Sequence, residues 1–258
     1  MKKYLKTISS VVLLTLLSNC STNNDKVSSE IQEKTVCPNG FCEKIFYGTD
    51  AVQWLNLYQA QSLTPTPVYI WSHPNGSSPA NPGSAYTFPE TVKNTLLAAG
   101  ISVISWESVQ QVQDEADLSK TETDFNLVMT WLRANAEKYN ININKVVVGG
   151  RSRGSWATWP GTNVTINNIK GYYGVQAFPD TGWLLRDPRN LITPASVPLF
   201  LTYDQPLGTT DNHKPENGFL MKDKYTSVGI GQKANVYYNL PETKLHDSLV
   251  VFINRCTR

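Results

Sequence analysis

Net charge is nearly absent from this chain of 258 residues: 23 Lys and Arg stand against 21 Asp and Glu, a formal +2. Removing the first nineteen residues, which hold Lys2, Lys3 and Lys6 and no acid, leaves one excess negative charge. Without clustered basic residues there is no electrostatic footprint for a nucleic acid. Histidine is scarce, with three in the chain, and there are four cysteines. No H-E-x-x-H occurs, and Cys37 and Cys42 are separated by four residues where a redox or zinc knuckle needs two. A metal site is therefore not expected, and neither is a cofactor. Long apolar runs are also missing: Ile8 to Leu17 falls short of the ~20 residues that cross a bilayer as a permanent helix. What is present is ordinary globular material, 40% hydrophobic and 10% aromatic, enough for a sizeable buried core.

The N-terminus, with a basic Met1 to Lys6 followed by the short apolar stretch, reads as an export signal over residues 1–19. Leu17-Ser18-Asn19-Cys20 resembles the lipobox of bacterial lipoproteins, in which the cysteine is acylated and becomes the new N-terminus; Asn19 stands where that pattern has a small residue. The resemblance implies lipidation at Cys20 and an outer-membrane anchor, with ordinary cleavage to a periplasmic or secreted form as the alternative. Residues 20–36, rich in Ser, Thr, Asn, Lys and Glu, lack the apolar surface to order themselves and are expected to be a tether. In an oxidising compartment, Cys37-Pro38-Asn39-Gly40-Phe41-Cys42 closes a small loop, and a Cys37–Cys42 disulfide is expected there. A bridge from Cys256 to either of them is the competing arrangement.

One domain follows, residues 37–258, of a size that a single core can hold. Strands are expected at Glu43 to Tyr47, Gln53 to Gln59, Val68 to Trp71, Ile101 to Trp106, Lys145 to Val148, Ile169 to Val175, Val197 to Tyr203 and Ala234 to Tyr238. Helices are expected at Phe88 to Ala99, ended by Gly100, and from about Leu118 to Tyr139. In the second helix Leu118, Phe125, Val128, Met129, Leu132 and Ala136 recur every three or four residues and mark a buried face. Val146-Val147-Val148 is apolar without alternation, as when helices cover both faces of a parallel sheet. The fold class is α/β, doubly wound.

That strand runs into Gly149-Gly150-Arg151-Ser152-Arg153-Gly154, which contains a G-x-S-x-G motif before a helix-compatible stretch. The motif places a serine in a sharp strand-to-helix turn. Glycines two residues to either side leave room for neighbouring backbone, and the helix N-terminus aims free N–H groups at a developing oxyanion. With this context the chain resembles the α/β-hydrolase superfamily, in particular its small exported esterases, from about Cys42 to Arg258. The resemblance implies a mostly parallel central sheet with helices on both faces and a Ser152 nucleophile. The segment Ser72-His73-Pro74-Asn75-Gly76 after the third strand is similar to the family's H-G-G-G oxyanion loop, with Pro74 and Asn75 replacing glycines. The backbone N–H groups of Asn75 and Arg153 are then the expected oxyanion donors. The family's Ser, acid, His order excludes His73 and selects His246, beyond the last strand, as the base. Gly208-Thr209-Thr210-Asp211 is similar to the run that carries the acid, so Asp211 is favoured over Asp204, with His213 left to brace the acid or line the site.

Trp71, Trp106, Trp156, Trp159 and Trp183 fall near strand ends and loops, where an aromatic wall would suit an aromatic acyl group or a sugar ring, although tryptophans more often pack in cores. Arg151 and Arg153 flank the serine and could attract a carboxylate. The connection Phe178 to Ser196 leaves no room for a large lid, which suits small or polymer-borne esters. The expected activity is serine carboxylic-ester hydrolysis. A peptidase or acyltransferase on the same residues, or a catalytically silent binding lipoprotein of this fold, are the alternatives.

Overall fold

A computed structural model describes residues 35–76, 83–109, 112–162, 168–177 and 187–258. The export segment and Cys20 lie outside the described residues. Thr35, placed in the tether by composition, is already docked: its N–H donates to Lys138 O at 2.6 Å and its carbonyl accepts from Gln59 Nε2. Cys37 and Cys42 are disulfide-bonded and Cys256 is a free thiol, so the local bridge forms and the competing one does not.

Eight strands make one sheet: β1 (Phe41–Phe46), β2 (Trp54–Tyr58), β3 (Thr66–Ser72), β4 (Ser102–Trp106), β5 (Ile141–Arg151), β6 (Ile169–Val175), β7 (Leu199–Thr202) and β8 (Ala234–Tyr237). Their order is β1-β2-β4-β3-β5-β6-β7-β8. β2 runs antiparallel to both its neighbours, and every other pairing is parallel. The helices are α1 (Glu90–Ala98), α2 (Glu115–Asn135), α3 (Arg153–Thr158), α4 (Glu216–Ser227) and α5 (Leu249–Cys256).

Alternation along the central strands divides the core into two layers. Val68, Ile70, Val146, Val148, Leu199 and Leu201 pack on one face, with Phe125, Val128, Met129 and Leu132 of α2, Trp156 of α3, and Met221 and Tyr225 of α4. Tyr69, Trp71, Val147, Tyr173 and Phe200 point the other way, onto Leu96 of α1 and Leu249, Phe252 and Ile253 of α5. Both faces are covered, which accounts for the unalternating valines of β5. Helix α2 starts on Asp114, whose side chain accepts from the Asp117 N–H as an N-cap.

The two layers also absorb the tryptophans. Trp71, Trp106, Trp156 and Trp159 are all buried in the core, Trp71 against Phe88, Trp106 against Phe125 and Trp159 stacked on Tyr172. They form no aromatic wall at the site; Trp183 lies outside the described residues, as do residues 178–186 of the connection expected to lack a lid. Among the described residues no helix is long and apolar enough to cross a membrane.

Candidate active site

The elbow is built where β5 ends and α3 begins, at the carboxyl end of the parallel strands. Ser152 has φ 51 and ψ −120, a positive-φ conformation rare for a residue with a Cβ and held only where its surroundings enforce it. Those surroundings are close. The Ser152 N–H donates to Val175 O on β6, and its carbonyl accepts from the Ser155 N–H and hydroxyl at 2.9 and 2.6 Å. A Cβ at Gly150 would come within 2.4 Å of the Gly154 backbone, and one at Gly154 within 2.1 Å of Ser72 O. The motif's glycines thus let three backbone segments converge, and the end of β3 with its following loop lies directly on α3.

Ser152 Oγ is 2.8 Å from His213 Nε2, and His213 Nδ1 is 3.1 Å from Asp211 Oδ1. The same Asp211 oxygen accepts the His213 backbone N–H at 2.6 Å, so a short turn sets the ring's approach. His213 and Asp211 both stand on the loop between β7 and α4. With Nδ1–H donated to the carboxylate, Nε2 is left free of its proton and can accept one from the serine hydroxyl. The structure departs here from the sequence expectation: the fold brings His213, not His246, to the serine.

His246 goes elsewhere because the chain beyond β8 turns at Pro241 and lays the residue over α1, with its ring edge-on to Phe88 at 6.4 Å. It borders a groove of about 390 Å³ formed with Thr91, Thr95 and Val250, and its Nε2 is buried without a hydrogen-bond partner. Burial, with the Arg151 charge adding to it, pushes this imidazole down to about 4. Asp247, the next residue, pairs with Lys244 at 3.0 Å. Asp204 is also engaged elsewhere, accepting from Gln176 Nε2 at 2.7 Å. Gln176 in turn accepts from Arg151 Nε at 2.8 Å, and Arg151 pairs with Glu242 at 2.7 Å, a polar row across the strand ends.

The loop after β3 is braced from beneath. Asn75 Oδ1 accepts from the Val112 N–H and from Arg153 Nε, both at 3.0 Å, while Asn75 Nδ2 donates to Val112 O. Arg153 is 1% exposed, so its side chain is not the substrate-facing cation considered from the sequence. Its Nη2 donates to Val109 O and lies 3.3 Å from His73 Nε2, and that nitrogen is 2.7 Å from Glu107 Oε1. Burial lowers Arg153 to about 10, which keeps it protonated at neutral pH. Burial raises the Glu107 carboxyl, but the His73 hydrogen bond and the Ala85 and Ser108 N–H groups outweigh it and leave Glu107 below the usual carboxylate range. Neither this network nor the approach of His213 to Ser152 was found from the sequence; position alone could have kept His213 open, since it follows Ser152 in the chain. No group of three metal-ligating side chains occurs among the described residues.

The family model BD-FAE matches residues 55–174, which run from β2 through the elbow to β6. A comparison with curated proteins finds no match. Among solved structures, the chain is similar to a truncated carbohydrate esterase from gut microbiota, with a TM-score of 0.61 at 14% identity over 89% of this chain and 98% of that one. It is similar to a thermophilic esterase from Thermogutta terrifontis (TM-score 0.60, 12% identity, 83% and 91% covered). A lipase/esterase from Lactobacillus plantarum is also similar (TM-score 0.56, 13% identity, 78% and 92% covered). With the strand order, the antiparallel second strand and the elbow after β5, these likenesses establish that the chain has the α/β-hydrolase fold.

Proposed function

We propose that the protein is a serine hydrolase that cleaves carboxylic esters through an acyl-enzyme on Ser152, with His213 as base and Asp211 as the acid that orients it. The observation that carries this reading is the 2.8 Å contact of Ser152 Oγ with His213 Nε2, made by a serine in an enforced positive-φ turn. His213 Nε2 takes the hydroxyl proton as Oγ attacks the ester carbonyl, and it returns that proton to the departing alcohol. The tetrahedral oxyanion is received by the backbone N–H groups of Asn75 and Arg153, and loss of one such donor costs on the order of 100- to 1,000-fold in rate. Water then cleaves the acyl-enzyme by the same proton path. The names of the similar structures, esterase and carbohydrate esterase, favour small or polymer-borne esters as substrates.

The test is labelling of the full chain by a fluorophosphonate probe beside hydrolysis of p-nitrophenyl acetate, for wild type and Ser152→Ala. Wild type is expected to label and turn over, and both signals should vanish in the folded variant. Turnover that survives Ser152→Ala would overturn the assignment.

A further inference from the structure

The residue after a nucleophile is ordinarily counted for its backbone N–H alone. Here its side chain is the largest buried charge at the elbow. The Arg153 guanidinium passes under the loop after β3 and reaches two separate stretches of chain: that loop, through Nε to Asn75 Oδ1 and with Nη2 beside His73 Nε2, and Val109, through Nη2 to its carbonyl oxygen. Asn75 joins the loop to Val112 by two further hydrogen bonds, and Glu107 joins His73 to the end of β4. The contact is therefore not a surface ion pair that solvent could replace, because Arg153, His73 and Glu107 are 1%, 0% and 3% exposed.

We propose that the Arg153 side chain is a positioning residue for acyl transfer, holding the His73–Asn75 loop against α3 so that the Asn75 and Arg153 backbone N–H groups keep one fixed separation. This rests on the hydrolase reading of Ser152 and adds a cause for the geometry of its oxyanion site. One residue supplies one donor with its backbone and places the other with its side chain. A planar fork with several N–H groups can bridge acceptors on two segments at once, Asn75 Oδ1 and Val109 O, which a lysine ammonium on a flexible stem cannot do in the same geometry. Displacing the loop leaves the Ser152–His213 contact in place and removes stabilisation that appears only as the oxyanion forms. The loss therefore falls on kcat rather than on KM.

The experiment compares wild type, Arg153→Met, Arg153→Lys and Asn75→Ala in the full chain. The end point of fluorophosphonate labelling gives the number of active serines, and p-nitrophenyl acetate kinetics are expressed per labelled site. Asn75→Ala keeps the backbone donor but removes the oxygen that Arg153 grips, so it reads the same link if Arg153→Met fails to fold. The expected result is kcat per labelled site at least about tenfold lower in all three variants, approaching the hundredfold of a lost donor, with KM changed less than about threefold. A merely structural role would lower the labelled fraction or the melting temperature and leave kcat per labelled site unchanged. Values within about threefold of wild type in the variants that fold would overturn the proposal while leaving the hydrolase reading intact. A wild type that neither labels nor turns over would overturn both.

Discussion

At the scale of single residues, the three histidines have three different fates, set by what surrounds each ring. His73 is enclosed between Glu107 and Arg153, His246 lies over α1, and His213 faces the serine. Replacing His213 by Asn should lower kcat for p-nitrophenyl acetate by roughly 10⁴-fold or more, whereas His246→Asn should stay within a few-fold. The reverse outcome would restore His246 as the base expected from the sequence. Asp211→Asn should cost less than the ~10⁴-fold typical of an enclosed triad acid, because its side chain is 49% exposed and solvent shares its role. Asp204→Asn, measured alongside, should change the rate much less, since its carboxylate is spent on Gln176. The strained turn at Ser152 was legible because G-x-S-x-G is a local steric requirement. The approach of His213 to it was not, because the direction in which a loop carries a histidine depends on packing between segments far apart in sequence. Arg153 was misread for a related reason: an arginine ordinarily seeks the surface, and nothing local announces that the groups it meets lie 44, 78 and 80 residues away.

At the scale of elements, every expected strand forms, because the apolar runs that cross a sheet covered on both faces have no other place to go. Helix α4 was not among the helices expected from the sequence. Its buried residues are Asn217, Gly218, Met221 and Tyr225, too polar and too few to draw an apolar stripe through ENGFLMKDKYTS. The meeting of β3, β5 and α3 is the element-level requirement of the site, and it depends on Gly154. Gly154→Ala would place a Cβ 2.1 Å from Ser72 O and 2.7 Å from His73 O, both backbone atoms that can yield only by shifting the loop. The substitution is expected to destabilise the fold by about 1–3 kcal/mol and to depress kcat together with it. Thermal melts and ester kinetics on the same samples would check this, and an unaltered kcat would show that the loop tolerates the displacement.

For the whole molecule, the buried groups tie stability to pH. His246, held at about 4 in the folded chain, titrates near 6.5 when unfolded, so the unfolded state binds the extra proton first as the solution is acidified. Stability from this residue is complete above about pH 6.5 and is lost progressively toward pH 4, up to an amount on the order of 3 kcal/mol. Urea titrations across that range should show the decline in wild type and a shallower one in His246→Asn; parallel curves would mean that the ring is not the cause. The α/β class was legible in the sequence, since strand and helix signals alternate and the elbow follows an apolar strand, whereas the order of strands in the sheet is a finding of the structure. The assembly of the candidate site was less so. Ser152 and the loop after β3 are rooted at the ends of β5 and β3, whereas His213 and Asp211 share one turn of one loop. Three groups on three independent loops have two relative motions to be frozen out before reaction; two rooted parts have one, so a centre of the proposed kind would be assembled or taken apart along a single coordinate with the His213–Asp211 pair kept whole.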